Sequence, residues 1–131
     1  MKKIYGILLA GLILAVLTTT ASASVTYKTN KLTYNQGDSV KFTLKNNNPY
    51  PIEMDIRWPT VSTLTGECVY GCGAHIMNYE ATTIPAWGSY SWVWNQKNDN
   101  GDQVSIGYYR GELNGYKTGL FRIKAQIVHT Q

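Results

Sequence analysis

Cys68-Val69-Tyr70-Gly71-Cys72, with His75 and Met77 just beyond, holds most of the residues in this chain that could do chemistry. Two thiols this close in sequence can close a disulfide, and an isolated pair in an exported protein reads that way. The closed loop is tiny, so loop-closure entropy gives the link about 2 kcal/mol, which rigidifies a loop more than it holds a fold. The same thiolates, with an imidazole and a thioether, would also suit a soft ion such as Cu(I). Against that, C-x-x-x-C-x-x-H is not the two-residue cysteine separation usual at zinc sites, and the C-x-x-C motif of redox enzymes is absent. A structural disulfide is expected, with no metal and no cofactor; a soft-metal chaperone built on Cys68, Cys72 and His75 is the competing reading.

Other reactive constellations are sparse. Asp99-Asn100-Gly101-Asp102 superficially resembles a calcium loop, but the alternating ligands and the distal glutamate are missing, so it reads as a turn. The histidines are His75 and His129, no G-x-S-x-G elbow occurs, and most of the eight acids alternate outward on expected strands. The chain is therefore expected not to be an enzyme. Trp58, Trp87, Trp92, Trp94, Tyr108 and Tyr109 are too many aromatics for one small core. Trp87, placed in a turn, is the best candidate for exposure, and exposed aromatics favour protein or glycan contacts; alternatively it folds back over an edge. The candidate binding residues are Val69, Tyr70, Gly71, His75 and Trp87, beside Cys68 and Cys72.

The N-terminus sets the compartment in which these residues would act. Lys2 and Lys3 precede an apolar run over residues 4–16, and Ala21-Ser22-Ala23 follows. That is the pattern of a secretory signal peptide spanning 1–23. The run is shorter than the roughly 20 residues of a spanning helix. Cleavage after Ala23 is expected, with an uncleaved anchor or a retained pilin-like helix as alternatives. Removing two lysines lowers the net charge from +4 to +2, leaving ten basic residues against eight acids. The ten are dispersed, with no stripe for phosphates, so neither nucleic acid nor, after cleavage, a membrane is an expected partner. The expected location is secreted or in the cell envelope, extracellular or periplasmic. The mature segment 24–131 suits one domain with one core.

Period-two alternation dominates that segment and no helical period appears. A first strand starts at Val25, and residues 39–45 place Val40, Phe42 and Leu44 on one face. Asn46-Asn47-Asn48-Pro49 ends that strand. Ile52, Met54, Ile56 and Trp58 alternate with polar residues until Pro59, and 61–81 reads as a loop. Tyr90, Trp92 and Trp94 share a face in the next strand. Asn95 to Asp102 form a turn before a strand over 104–113, and residues 114–119 make a hairpin connection. The last strand, 120–129, places Phe121, Ile123, Ala125 and Ile127 inward. About seven to eight short strands with turns between them predict an all-β, immunoglobulin-like antiparallel β-sandwich, without the sheet-bridging disulfide of antibody domains.

Tyr34-Asn35-Gln36-Gly37-Asp38-Ser39-Val40-Lys41-Phe42, the T-L-K-N-N-N-P-Y-P-I stretch over 43–52, and the long I-P-A-W-G-S-Y-S-W-V-W-N-Q-K-N-D-N-G-D-Q-V-S-I-G-Y-Y block over 84–109 together resemble one family. It is the intracellular proteinase inhibitor (BsuPI-type) domain, a small immunoglobulin-like sandwich, and the likeness runs from about Tyr34 to the C-terminus. Related turn-glycine patterns occur in the immunoglobulin-like part of flagellar hook-cap proteins. Two departures stand out: the Cys68–Cys72 loop, and Trp87 where the family carries a proline. The export signal also sets this chain apart from the family's name, and no inhibitory contact residues carry over. The resemblance implies a secreted, non-enzymatic binding module whose partner is a protease or a cell-surface protein. The alternative is a cell-surface or extracellular filament subunit that binds itself, its N-terminal strand completing a neighbour's sheet.

Overall fold

The computed structural model describes residues 24–73 and 78–126. The expected signal peptide, together with His75, Met77, Ile127 and His129, lies outside them. The described chain is all-β, with strands β1 (Val25–Thr29), β2 (Thr33–Asn35), β3 (Val40–Asn46), β4 (Ile52–Met54), β5 (Thr60–Thr63), β6 (Cys68–Tyr70), β7 (Thr82–Ile84), β8 (Ser89–Trp94), β9 (Gly107–Leu113), β10 (Tyr116–Lys117) and β11 (Phe121–Lys124). No helix among the described residues is long and apolar enough to cross a membrane.

One sheet has the order β1-β3-β8 and the other β2-β11-β9-β5-β6, with β10 folded back on β9 and a separate β4-β7 ladder. These two orders are those of an immunoglobulin-like sandwich. The N-terminal run serves both sheets. β1 pairs antiparallel with β3, then the chain turns at Asn30 and β2 pairs parallel with β11. The Tyr34 hydroxyl holds that turn, donating to Asn30 Oδ1 at 2.5 Å and accepting from the Lys31 N–H at 2.9 Å. The parallel pair departs from the all-antiparallel expectation because the crossing strand keeps its direction while changing sheets.

The core is aromatic. Val40, Phe42 and Leu44 alternate inward from β3, fully buried, as their spacing predicts. Phe42 stacks on Trp92 with ring centroids 4.5 Å apart and meets Phe121 edge-on at 5.7 Å. Opposite Phe42, β9 carries Gly111, where a Cβ would overlap the phenyl ring. Tyr109 is buried and donates its hydroxyl to the Ser105 carbonyl at 2.5 Å, a tyrosine corner that ties the turn before β9 to the sheet. The β9–β10 hairpin turns on Asn114 and Gly115, both with positive φ, as its twist requires.

Three expectations need correction. The strand expected over 52–58 ends at Met54, because Asp55 Oδ1 accepts from the Arg57 N–H at 3.1 Å and turns the chain; Trp58 is left 42% exposed. The supposed loop over 61–81 contains β6 and all but the first residue of β5, strands too short and too polar to show alternation. The last strand among the described residues stops at Lys124, and Ala125 is exposed rather than inward. The described residues form eleven strands rather than seven or eight because β5, β6, β7 and β10 lie where no strand was expected.

Candidate binding loop

β6 forms the outer edge of the second sheet and pairs with β5 through a bulge at Val61 and Ser62. Cys68 and Cys72 are joined by a disulfide with their Cα atoms 5.8 Å apart, and both lie at the surface. Val69 and Tyr70 are half-buried. The Tyr70 ring stacks 5.9 Å from Trp92 and lies 6.3 Å from Trp94, so this side chain anchors the loop to the core. Gly71 has φ 73°, and a Cβ there would overlap the Pro59 carbonyl; the position demands glycine.

Asp99 holds the loop from the other side. Its Oδ1 accepts from the Gly71 N–H at 2.8 Å and its Oδ2 from the Cys72 N–H at 2.9 Å. Its own N–H donates to the Val69 carbonyl at 3.1 Å. These bonds cap the outer edge of β6, which would otherwise present unpaired backbone groups. The Asn98 side chain positions the aspartate: its Oδ1 accepts from the N–H groups of Asn100 and Asp102, both at 2.9 Å. The turn that resembles a calcium loop thus commits its Asp99 carboxylate to backbone amides. Among the described residues, no group of three or more His, Cys, Asp or Glu could hold a metal ion; His75, which a soft-metal site would need, is not among them. A shallow depression of about 270 Å³ runs between the disulfide and this turn, lined by Glu67, Cys68, Cys72, Asn98 and Asn100 among others.

The chain returning from the loop is tied down by Arg57. Its guanidinium meets Asp55 Oδ2 at 2.7 Å and Glu80 Oε2 at 3.1 Å, and donates closely to the Asn78 carbonyl. Hydrogen bonds from Arg57 hold the Asp55 carboxyl well below the usual carboxylate range, and Asp55 in turn raises the Arg57 pKa.

Trp87 sits elsewhere. It precedes β8, whereas Asp99 follows it, so the strand separates this turn from the one that clamps the disulfide loop. Trp87 is 59% exposed with φ 62°, a backbone region that aromatic residues rarely adopt. The turn closes through the Gly88 N–H to the Pro85 carbonyl at 2.9 Å, and Lys45 Nζ donates to the Trp87 carbonyl at 3.2 Å. Beneath it lies Asn46, fully buried. Its amide donates to the carbonyls of Tyr50 (3.0 Å), Ile84 (3.2 Å) and Pro85 (3.0 Å), while its Oδ1 accepts from the Asn48 N–H at 3.0 Å and from Asn48 Nδ2 at 2.9 Å. One side chain thus fixes two turns, each carrying an exposed aromatic, Tyr50 and Trp87.

The roles of Asp99 and Asn46 escape a reading of motifs. Asn46 did leave a signal, since it continues the inward series Val40, Phe42, Leu44, where an amide must find partners. The Asp99 partnership left none, because its partners are backbone groups distant in sequence.

No protein-family model matches the chain, and no curated protein matches it either. Among solved structures it is similar to the alkylpurine DNA glycosylase AlkC of Pseudomonas fluorescens, bound to DNA containing an abasic site analog, at 17% identity and a TM-score of 0.44 over 86% of this chain and 33% of that one. It is also similar to a beta-glucosidase from Listeria innocua in complex with glucose, at 14% identity and a TM-score of 0.36 over 83% of this chain and 17% of that one. The chain spans about a third and a sixth of these two chains, and the likeness carries neither activity across.

Proposed function

We propose that this chain is an exported, non-enzymatic protein-binding module of the kind its resemblance to BsuPI-type proteinase inhibitors implies. The observation that carries the reading is the double clamp on the Cys68–Cys72 loop, by its disulfide and by Asp99. A loop ordered before it meets a partner loses little conformational freedom on binding, which favours affinity. The disulfide also supports an oxidising, extracytoplasmic location, in keeping with the signal-like residues 1–23. A non-catalytic role is supported by the commitments of three of the eight acids: Asp55 and Glu80 to Arg57, and Asp99 to backbone amides.

An inhibition and binding panel of serine proteases and metalloproteases tests this directly. Binding that weakens when the loop is loosened, in Cys68→Ser/Cys72→Ser, is the expected result; no binding at micromolar concentration overturns it. Assembly as a filament subunit by strand complementation would require β1 to leave β3 and uncover the buried Tyr27. Size-exclusion chromatography with electron microscopy distinguishes the two readings.

A further inference from the structure

We infer that the outer face of the second sheet is a contact surface for a protein partner whose own patch combines apolar side chains with carboxylates. This rests on the reading as a protein-binding module and gives it a second surface and a charge. The register builds the face. Arg122 stands directly opposite Tyr108 across β11 and β9, and the Leu64 N–H donates to the Tyr108 carbonyl at 2.9 Å, extending the row to β5. Ile106 and Arg110 lie two positions either side of Tyr108, and Lys124 lies two beyond Arg122, so all share one side of the pleat.

The centre of this face is apolar and open: Leu64 and Ile106 are each 59% exposed and Tyr108 48%. All three line a shallow depression of about 190 Å³. Ile106 and Tyr108 continue into a second of about 490 Å³, walled by Arg122 and Lys124. The rim is cationic. The ion pairs among the described residues belong to Arg57, so Arg110, Arg122 and Lys124 have no described carboxylate within 4.0 Å. Glu112 shares the outward side of β9 with Arg110 and lines a depression with Arg110, Leu64 and Lys117, so the positive excess is greatest at Arg122 and Lys124.

An exposed apolar centre with a rim of net positive charge is the anatomy of a protein interface. Arginine forks match carboxylates in two-pronged fashion, and a cationic rim steers an acidic partner into register. An acidic polysaccharide would satisfy the cations but offers nothing apolar to Leu64 and Ile106.

Nitrogen-15-labelled protein expressed from the full chain is titrated with three probes: a synthetic peptide of alternating Glu and Phe, its Lys-Phe counterpart, and alginate. The Glu-Phe peptide is expected to shift the amides of Leu64, Ile106, Tyr108, Arg110 and Arg122. Its affinity should fall about tenfold in Arg110→Glu/Arg122→Glu and again when salt rises from about 50 to 300 mM. Arg122→Gln, a milder change, should lose severalfold should the double variant fail to fold. Shifts that map elsewhere, equal binding of the Lys-Phe peptide, or tighter binding of alginate on this face overturn the inference. A protease bound equally well by the double variant removes the face and leaves the module. A peptide mapped to the face of a chain that binds no protease removes the inhibitor reading and leaves the face.

Discussion

Beyond its Tyr70 anchor, the Cys68–Cys72 loop is restrained at the surface, by a disulfide and one carboxylate gripping backbone amides, whereas at the Trp87 turn a single amide, Asn46, does the holding from inside. Both regions come out ordered, yet their energetics differ. Surface restraints act mainly on local opening and on the unfolded chain. A buried amide acts on the whole fold, because removing it strands carbonyls that water cannot easily reach. Rigidity at two loops therefore implies two different costs of mutation.

The largest effect should come from within. Asn46→Ala leaves several buried groups without partners and is expected to cost roughly 3 kcal/mol, at one to three per orphaned group, read as a lower denaturation midpoint in urea. A value no larger than that of an exposed asparagine would abolish the contrast.

Alkali probes the same side of the molecule through β1, which follows Ser24, whose carbonyl accepts from the Asn47 N–H and from Asn48 Nδ2. Burial pushes the Tyr27 hydroxyl up to about 12, against a hydrogen bond from Trp92 Nε1 that lowers it. The unfolded tyrosine ionises near pH 10 while the folded one stays neutral. The contribution of Tyr27 is thus full below pH 10 and should be lost, by up to about 3 kcal/mol, as pH rises from 10 through 12. Tyr27→Phe should flatten that decline in a pH series of urea melts.

The surface clamp comes next. Cys68→Ser/Cys72→Ser should cost at most about 2 kcal/mol by loop closure. Asp99→Ala should cost about 1 kcal/mol for hydrogen bonds at the surface. Made together, the changes should exceed their sum in the hydrogen-exchange rates of Gly71 and Cys72, since each restraint partly covers for the other. Strict additivity would mean that the two act independently. The smallest effect has the opposite sign: Trp87→Gly relieves a left-handed backbone angle and should stabilise by up to about 1 kcal/mol in thermal melts.

Much of the fold was legible because its central strands obey a simple period. Val40, Phe42 and Leu44 on β3, and Tyr90, Trp92 and Trp94 on β8, face inward as their alternation demands. β5 was invisible for a physical reason: Thr60-Val61-Ser62-Thr63 places one apolar side chain inward on an interior strand, and a bulge breaks even that rhythm. The disulfide was legible from the closeness of Cys68 and Cys72 read together with the signal-like N-terminus. Tyr70 was read as presented and proves to be an anchor, since its packing on Trp92 joins positions on different sheets. The cationic face escaped notice because its members alternate with core residues on separate strands. Only the register brings Tyr108 beside Arg122 and Leu64.

The N-terminal run that divides itself between the two sheets has a consequence for the order of folding. β1 finds β3 soon after it appears, but β2 must wait for β11, the last strand described. Nearly the whole domain has to be available before its first crossing strand can settle, a contact of long sequence separation and therefore slow. While the chain waits, β2 itself lacks its neighbour and is open to other strands. A polypeptide arranged this way closes its second sheet only when its last described strand arrives.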